Sequence, residues 1–265
     1  MLETPEFTMR VPSHLYKYRS LSLLGENYER TKGILTDNKI YFPTYTEFND
    51  PFDCNLHVSH IVAPEALRRK FRQLNPDKSE SDIDAMVAAA SSTSELEKRR
   101  KDIRSGIHDA QKNLGILTMS ARRDHIVMWS HYADSHRGIC LEFAVLDSML
   151  FGCSLTPIIY QKEYPKLNVC DEMTLPWAKE YLSIKSYDWS YEEEWRIIYR
   201  EHGFHGFPSN ELTGVILGAR ISQENRQMVL ACLSARQYPV RVYDAREKEN
   251  EFGLDIIHFG NYRHT

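Results

Sequence analysis

Short strand-like segments recur through the C-terminal two-thirds of the chain, and helices do not alternate with them in a regular way. The segments are rich in β-branched and aromatic residues, which favour extended backbone. They lie at Gly115–Met119, Gly138–Phe143, Ile158–Tyr160, Trp195–Tyr199, Gly214–Leu217 and Val240–Tyr243. A doubly wound parallel sheet needs a helical crossover between successive strands. The spacing therefore predicts an α+β fold with a mixed, largely antiparallel central sheet.

The N-terminal part predicts a strand, a helix and a second strand. Leu15–Arg19 alternates apolar and polar residues, Leu21–Leu35 spaces its leucines at roughly helical intervals, and Lys39–Pro43 is a short β-rich run that ends at proline. Three further helices are predicted, at His125–Ala133, Leu175–Ile184 and Gln223–Ala235, the last with Ser222 as its N-cap.

Residues 63–113 differ in composition from the rest of the chain. Long runs of Ala, Lys, Glu and Arg predict two or three amphipathic helices, with a polar break at Ser91–Ser94. We interpret residues 63–113 as a helical insert within a single α+β domain that spans residues 1–265. The insert either covers the sheet or binds a partner.

Charge and cysteine content exclude several classes of protein. The 33 basic and 37 acidic residues give a formal net charge of −4, so no overall field attracts a polyanion or an anionic membrane. The apolar stretches are far shorter than the roughly 20 residues of a membrane span, and Met1–Val11 lacks the apolar core of a signal peptide. We therefore expect a cytoplasmic protein. The 5 cysteines are odd in number and form no C-x-x-C pair, which argues against a disulfide framework and a zinc site.

The loop Phe48–Asp53 is a candidate ligand-binding segment, because Asn49, Asp50 and Phe52 combine polar groups with an aromatic ring. The equally weighted alternative is that Asn49 and Asp50 only cap a turn before proline. A weaker pattern for a metal site is formed by Asp50, Asp53, His57 and His60. We expect no metal.

The segment Met128–Gly138 concentrates aromatic, imidazole and guanidinium side chains before a strand. Trp129 is predicted to be a core residue, whereas His131, Tyr132 and Arg137 are candidates for a pocket wall. The alternative makes Trp129 and Tyr132 core aromatics at helical spacing and places His131, His136 and Arg137 in solvent at the end of a helix, where cations are favoured.

Three acidic residues, Glu192 to Glu194, stand directly before the strand Trp195–Tyr199. Strand alternation places Glu194 and Arg196 on one face, where the two side chains pair or bind an anionic ligand. The alternative is a solvated acidic turn that protects the edge of a sheet.

Several of these segments, in this order, resemble a bacterial family known as domain of unknown function 2971. The matching pieces are Leu15–Arg19, Ile40–Phe42, Phe48–Asp53, Met128–Ala133, Gly138–Phe143 and Tyr191–Ile198. The resemblance covers most of the chain outside the helical insert. The name of the family carries no activity.

The layout also resembles the ADP-ribosyltransferase fold, in particular its nucleic-acid-modifying and RNA 2′-phosphotransferase branches. Leu15–Phe42 has the order of strand, helix and strand seen there, and Glu194 falls where that superfamily has a catalytic glutamate followed by a strand and a segment like Leu212–Leu217. The polar ligand residue of the first strand corresponds to Lys17, Tyr18 or Arg19, of which we favour Arg19. The Ser-Thr-Ser strand of the arginine-modifying branch is absent.

This resemblance implies that NAD is the substrate and that nicotinamide leaves through an oxocarbenium-like ribosyl cation. Glu194 would stabilise the cation, Tyr132 or Phe52 would stack on the nicotinamide, and Arg19, Asn49 and Arg137 would hold the pyrophosphate or the riboses. The wider candidate set also includes His131 as catalytic and Lys17, Tyr18, Asp50 and Arg196 as NAD-binding. We expect the first strand's cations and Glu194 to face one shared cavity.

The implied role is a toxin or phage-defence effector that modifies nucleic acid or protein and has an antitoxin or defence partner. The alternative is a non-catalytic nucleotide sensor or a metal-dependent nuclease module of a defence system. Nicotinamide release distinguishes the transferase from the sensor, and loss of activity with a chelator distinguishes the nuclease.

Overall fold

A computed structural model describes residues 10–22, 27–54, 64–147, 149–164 and 181–262. The chain divides into two compact units. The first unit comprises residues 1–43, 115–158 and 188–265, and the second comprises residues 44–114 and 159–187. That residues 1–265 form a single domain stays a prediction.

The described strands are β1 His14–Arg19, β2 Lys39–Phe42, β3 Gly115–Ser120, β4 Ile139–Ala144, β5 Met149–Leu150, β6 Cys153–Ser154, β7 Thr156–Pro157, β8 Ile159–Gln161, β9 Ile184–Ser186, β10 Glu194–Tyr199, β11 Gly203–Gly206, β12 Leu212–Leu217, β13 Val240–Glu247 and β14 Leu254–Tyr262. The described helices are α1 Asn27–Asp37, α2 Pro64–Leu74, α3 Glu80–Ala90, α4 Thr93–Gln111, α5 Ile126–Tyr132 and α6 Gln223–Ser234.

An eight-stranded sheet in the order β14-β13-β12-β4-β1-β3-β10-β7 forms the centre of the first unit. Every neighbouring pair in this sheet is antiparallel except β12 and β13, which are parallel. The prediction of an α+β fold with a mixed, largely antiparallel sheet is therefore confirmed. Strands β2 and β11 form a separate antiparallel pair in the same unit.

Both faces of this sheet are covered by apolar residues, in two separate clusters. One face carries Leu117, Leu141 and Ile197 and packs with buried side chains of α1 and α6. The other face carries Cys140 and Ile216 and packs against α5. Because direct neighbours along a strand point to opposite faces, each central strand contributes to both clusters. We call the side covered by α5 the α5 face.

The second unit contains helices α2, α3 and α4. Ser79 caps α3 by accepting a hydrogen bond of 3.2 Å from the backbone N–H of Asp82, and Asp82 bonds back to Ser79 in a capping box. Arg68 of α2 pairs with Glu80 and Asp84 of α3. Helix α3 ends at Ala90 and α4 begins at Thr93, so the predicted break at Ser91–Ser94 is confirmed.

Two predicted helices are not confirmed with the bounds that the sequence suggested. Most of the helix predicted at Leu175–Ile184 lies outside the described residues, and Ile184 itself begins strand β9. The helix predicted at Leu21–Leu35 begins, within the described residues, at Asn27 and ends at Asp37. Among the helices that the structure describes, none has the length and apolarity needed to cross a membrane.

Candidate functional site

Four polar side chains lie next to each other across strands β4, β1, β3 and β10. Tyr16 is paired in register with Glu142 and with Ser120, and Ser120 is paired with Glu194. Directly opposed residues of antiparallel strands face the same side of a sheet, so all four lie on the α5 face. We call Glu142, Tyr16, Ser120 and Glu194 the polar row. With a strand spacing of about 4.8 Å, the two strands that carry its terminal residues, β4 and β10, are roughly 14 Å apart.

Glu194 at one end of the polar row is buried and ion-paired. Its side chain is 4% exposed, and Arg196 Nε donates to Glu194 Oε1 at 2.5 Å from a fully buried guanidinium. Strand alternation had predicted that these two residues share a face, which the register confirms. A buried carboxylate is costly unless it is paired, and Arg196 supplies that partner for Glu194.

The turn before β10 buries two carboxylates on either side of an exposed one. Glu193 has φ of 43°, in the left-handed region, and its two neighbours, Glu192 and Glu194, are 3% and 4% exposed. Glu192 Oε1 accepts a bond of 2.7 Å from the Tyr132 hydroxyl, and its backbone carbonyl accepts one of 2.6 Å from Ser120 Oγ. The predicted alternative of a fully solvated acidic turn is therefore wrong for Glu192 and Glu194.

Glu142, at the other end of the polar row, was not among the predicted site residues. It is 2% exposed. Its Oε1 accepts bonds from Arg241 Nη2 at 2.7 Å and Thr213 Oγ1 at 3.1 Å, while Oε2 lies 3.4 Å from the Tyr16 hydroxyl and 3.5 Å from Arg123 Nη1. One signal in the sequence marks it: a single acidic residue within the otherwise apolar strand β4. Such a residue needs buried partners.

Gly214 and Tyr16 complete the surroundings of Glu142. A Cβ atom at position 214 would lie 2.8 Å from Glu142 Oε1, so the glycine leaves the space that the carboxylate fills. Burial and the nearby Glu142 charge raise the pKa of Tyr16 to about 12. Tyr16 therefore remains a protonated hydroxyl donor at neutral pH.

Aromatic and imidazole rings surround the end of α5. His131 Nδ1 lies 3.4 Å from the Tyr191 hydroxyl, and the Trp189 ring meets the His131 ring edge-on at 6.2 Å. The His125 ring stacks on Tyr191 at 5.2 Å, and burial, with Arg122 nearby, lowers the pKa of His125. These rings give the α5 face several flat surfaces on which a planar ligand could stack.

Trp129 is buried, whereas Arg137 is exposed to solvent. The Trp129 side chain is fully buried, and its Nε1 donates to the Arg123 carbonyl at 2.9 Å, so its predicted core position is confirmed. Residues Asp134 to His136 have φ of 49°, 51° and 69°. Arg137 follows this left-handed turn and is exposed, with Nη1 3.5 Å from the Asp134 carbonyl.

Lys17 and Arg19 do not face the same side of the sheet as Glu194. Lys17 is paired with Leu141 and Arg19 with Ile139, and both partners belong to the opposite apolar cluster. The expectation that these cations and Glu194 face one cavity is wrong for Arg19, because β1 presents its odd-numbered residues to the other side. Lys17 leaves β1 on that side too, but its ammonium reaches Thr118, the cross-strand partner of Arg196. Tyr18 is on the α5 face, where its hydroxyl donates to the Arg122 carbonyl at 2.8 Å.

The two cations of β1 have separate partners. Lys17 Nζ donates to the carbonyl of Thr118 at 2.7 Å and to its Oγ1 at 3.0 Å, and so links β1 to β3. Arg19 Nε donates to Thr31 Oγ1 at 3.3 Å. Burial, together with the nearby charge of Arg30, lowers the pKa of Arg19 to about 10. Arg19 thus connects elements on its own side of the sheet, whereas Lys17 connects β1 to β3.

Asn49, Asp50 and Phe52 belong to the second unit. Asp50 Oδ1 accepts a bond of 2.9 Å from the backbone N–H of Phe52, which is the predicted turn-capping geometry. Asn49 is exposed, and the Phe52 ring is 64% exposed. Asp53 Oδ2 lies 3.5 Å from Lys185 Nζ, and both side chains are buried.

The predicted metal pattern is tested only in part. His57 and His60 lie outside the described residues. Within the described ranges, no group of three or more His, Cys, Asp and Glu residues has the geometry to hold a metal ion.

The fold and the site define an α+β protein with a large, mostly antiparallel sheet and a row of buried polar residues on one face. Residues 128–197 match a family model described as "Protein of unknown function (DUF2971)", which confirms the predicted resemblance over that segment. The matched segment contains Tyr132, Glu142, Glu192, Glu194 and Arg196. No curated protein and no solved structure gives a significant match to the chain.

Proposed function

We propose that the chain transfers ADP-ribose from NAD to an acceptor in nucleic acid or protein, with Glu194 as the catalytic carboxylate. One observation carries the proposal: Glu194 is a buried carboxylate, held by Arg196 at 2.5 Å, and it is paired across the sheet with Ser120. A fixed negative charge with a neighbouring hydroxyl suits a reaction that develops positive charge on a ribose ring.

In this reaction the bond between ribose C1′ and the nicotinamide nitrogen breaks, and its electron pair leaves with nicotinamide. The Glu194 carboxylate stabilises the cationic ribose ring and accepts a hydrogen bond from a ribose hydroxyl. The acceptor then attacks C1′ through an oxygen or nitrogen atom and loses a proton. Arg196 positions Glu194 through their ion pair.

The geometry changes the residues to which NAD binding is attributed. Arg19 lies on the other face of the sheet, so Arg123 replaces it as the proposed phosphate ligand. Arg123 lies 3.5 Å from Glu142, and its side chain is 38% exposed. Tyr16 offers a hydroxyl group between the two ends of the row, whereas the Ser120 hydroxyl already donates to the Glu192 carbonyl. The Tyr132 and Tyr191 rings offer stacking surfaces for nicotinamide.

The test is release of nicotinamide when the full chain is incubated with NAD, measured by chromatography. Glu194→Gln keeps the size of the side chain and removes its charge, so we expect the rate to fall by about 100-fold or more. Glu193→Gln is the matched control, because Glu193 is an exposed neighbour that pairs with Arg122. A Glu194→Gln variant that releases nicotinamide at the parent rate contradicts the assignment.

Two other outcomes would replace the proposal. A rise in the melting temperature with NAD, without release of nicotinamide from the parent protein, identifies a nucleotide sensor. Activity on nucleic acid that a chelator abolishes and a divalent ion restores identifies a metal-dependent nuclease.

A further inference from the structure

A cavity of about 420 Å³ opens in the second unit beside helix α4. Its volume lies within the range of small-molecule sites, roughly 300–1,000 Å³. The polar side chains that line it come from α4 and from the turn at Tyr45. They are Tyr45, Lys101, Arg104, Ser105, His108 and Gln111.

One face of α4 supplies most of this lining. Lys101, Arg104, His108 and Gln111 follow each other at intervals of three or four residues, which places them along one side of a helix. Asp102 directly follows Lys101 in the sequence and therefore points about 100° away around the helix axis. No acidic residue is among the described residues that line the cavity.

The cations of the cavity differ from other cations of the second unit in their pairing. Arg68 and Arg72 pair with carboxylates of α3, and Lys112 pairs with Asp109 at 3.0 Å. Lys101 and Arg104 take part in none of these ion pairs. The cavity thus has a positive wall in a chain whose formal net charge is −4.

The other polar groups of the lining include a hydrogen-bonded pair and a buried amide. The Tyr45 hydroxyl lies 2.5 Å from His108 Nδ1, which fixes the imidazole and leaves its other nitrogen for a ligand. Burial raises the pKa of Tyr45, which keeps its hydroxyl protonated. Gln111 is only 5% exposed and adds a buried amide to the lining.

We infer that this cavity binds the phosphate group of a nucleotide-sized ligand, with Arg104 and Lys101 as the phosphate ligands. The guanidinium of Arg104 presents two parallel N–H groups to phosphate oxygens, Lys101 adds a point charge one turn earlier, and His108 and Gln111 bond the remaining polar atoms. The phosphate belongs either to a free mononucleotide or to a nucleic-acid strand. This site is separate from the one assigned to Glu194.

The test is isothermal titration calorimetry of the full chain with three probes: inorganic phosphate, AMP and a short single-stranded oligonucleotide. Loss of one charge-assisted contact weakens binding by about tenfold or more, so we expect that effect from both Arg104→Glu and Arg104→Gln. Lys112→Glu is the matched control, since it makes the same charge change as Arg104→Glu at the C-cap of α4, outside the cavity, and is expected to alter binding by less than about twofold.

The probes separate the two sources of phosphate. Binding of AMP that depends on Arg104 identifies a mononucleotide, and binding of the oligonucleotide alone, with the same dependence, identifies a nucleic-acid strand. The inference is overturned if none of the probes binds, or if Lys112→Glu weakens binding as much as Arg104→Glu does. Thermal melts of both Arg104 variants show whether they fold. The dependence of binding on Arg104 reports on this cavity alone, so failure of the transferase proposal leaves this test intact.

Discussion

The Tyr132 hydroxyl donates a hydrogen bond of 2.7 Å to Glu192 Oε1, and this bond joins the end of helix α5 to the turn before strand β10. Glu192 is 3% exposed, so its carboxylate depends on partners within the protein. The same turn supplies Glu194 two residues later. The position of α5 and the position of the proposed catalytic carboxylate are thus linked through one side-chain bond.

Replacing Tyr132 by Phe removes this donor and keeps the ring. A buried acceptor that loses a partner costs about 1–3 kcal/mol, and we expect the free energy of unfolding, measured in urea, to fall by about that amount. Tyr238→Phe is the control, because Tyr238 is 44% exposed. Equal stability of the Tyr132→Phe variant and the parent would show that the bond does not hold α5 to the turn.

Gly214→Ala is expected to disturb the Glu142 end of the polar row. The new Cβ would lie 2.8 Å from Glu142 Oε1 and 3.2 Å from its Cβ, and such overpacking typically costs about 1–3 kcal/mol. Gly33→Ala provides the contrast. Gly33 lies within α1, and a Cβ atom there would lie no closer than 3.7 Å to the Lys39 carbonyl oxygen, so alanine should raise stability by about 0.5–1 kcal/mol. If Gly214→Ala leaves the stability of the protein unchanged, the Glu142 side chain is free to move aside.

Arg236 joins the end of α1 to the loop before β12. Its Nη1 donates to the carbonyls of Ile34 at 3.2 Å and Leu35 at 2.9 Å, and its Nη2 bonds Asn38 Oδ1 at 2.5 Å. These carbonyls end a helix and have no partner within it. We expect Arg236→Ala to lower the free energy of unfolding by about 2–4 kcal/mol.

Arg236→Lys retains a charge without the guanidinium fork and should lose part of that stability. Arg246→Ala is the control, because Arg246 is 64% exposed with a carboxylate 4.0 Å away, and it should change stability by less than about 0.5 kcal/mol. If thermal melts show the same small loss of stability for Arg236→Ala as for Arg246→Ala, Arg236 does not stabilise the end of α1.

The stability of the protein is expected to depend on pH through His136. Its ring stacks on Trp129 at 6.2 Å, and burial lowers its pKa below the usual value of 6.5. The unfolded chain therefore binds a proton at a pH where the folded protein does not. Stability should be complete above about pH 6.5 and fall as the pH decreases from there towards the folded pKa.

His136→Gln should remove part of this pH dependence, in urea unfolding at about pH 5.5 and about pH 7.5. His125, whose pKa burial also lowers, contributes in the same direction and accounts for the remainder. His258→Gln, at an exposed position on β14, is the control. An unchanged pH dependence in His136→Gln would show that this ring titrates alike in both states.

The sequence predicted which residues of one strand share a face, but not how the strands of the candidate site pair with each other. Alternation along β10 placed Glu194 and Arg196 on one face, and the register agrees. The same rule separates Tyr16 from Lys17 on β1, but it does not state which face of β1 adjoins which face of β10. Only the pairing of β1 and β10 with β3 settles this, and it directs Tyr16, not Lys17, to the side of Glu194.

Glu142 shows why the polar row could not be predicted from the sequence. The composition of β4 indicated a buried strand, whereas the partner of Glu142, Tyr16, is 126 residues away in the sequence. A shift of one residue in the pairing of two strands would turn every side chain to the other face. No local pattern carries that information.

The sequence by itself determined the local elements: the alternation of β1, the N-cap of α6 at Ser222, and the break between α3 and α4. These depend on interactions among near neighbours in the chain, so their signals are local. The tertiary structure alone decided that Glu142, Tyr16, Ser120 and Glu194 form one row and that Arg19 lies behind it. The reason is that strand register is set by burying both faces of the sheet at once, through contacts between distant segments.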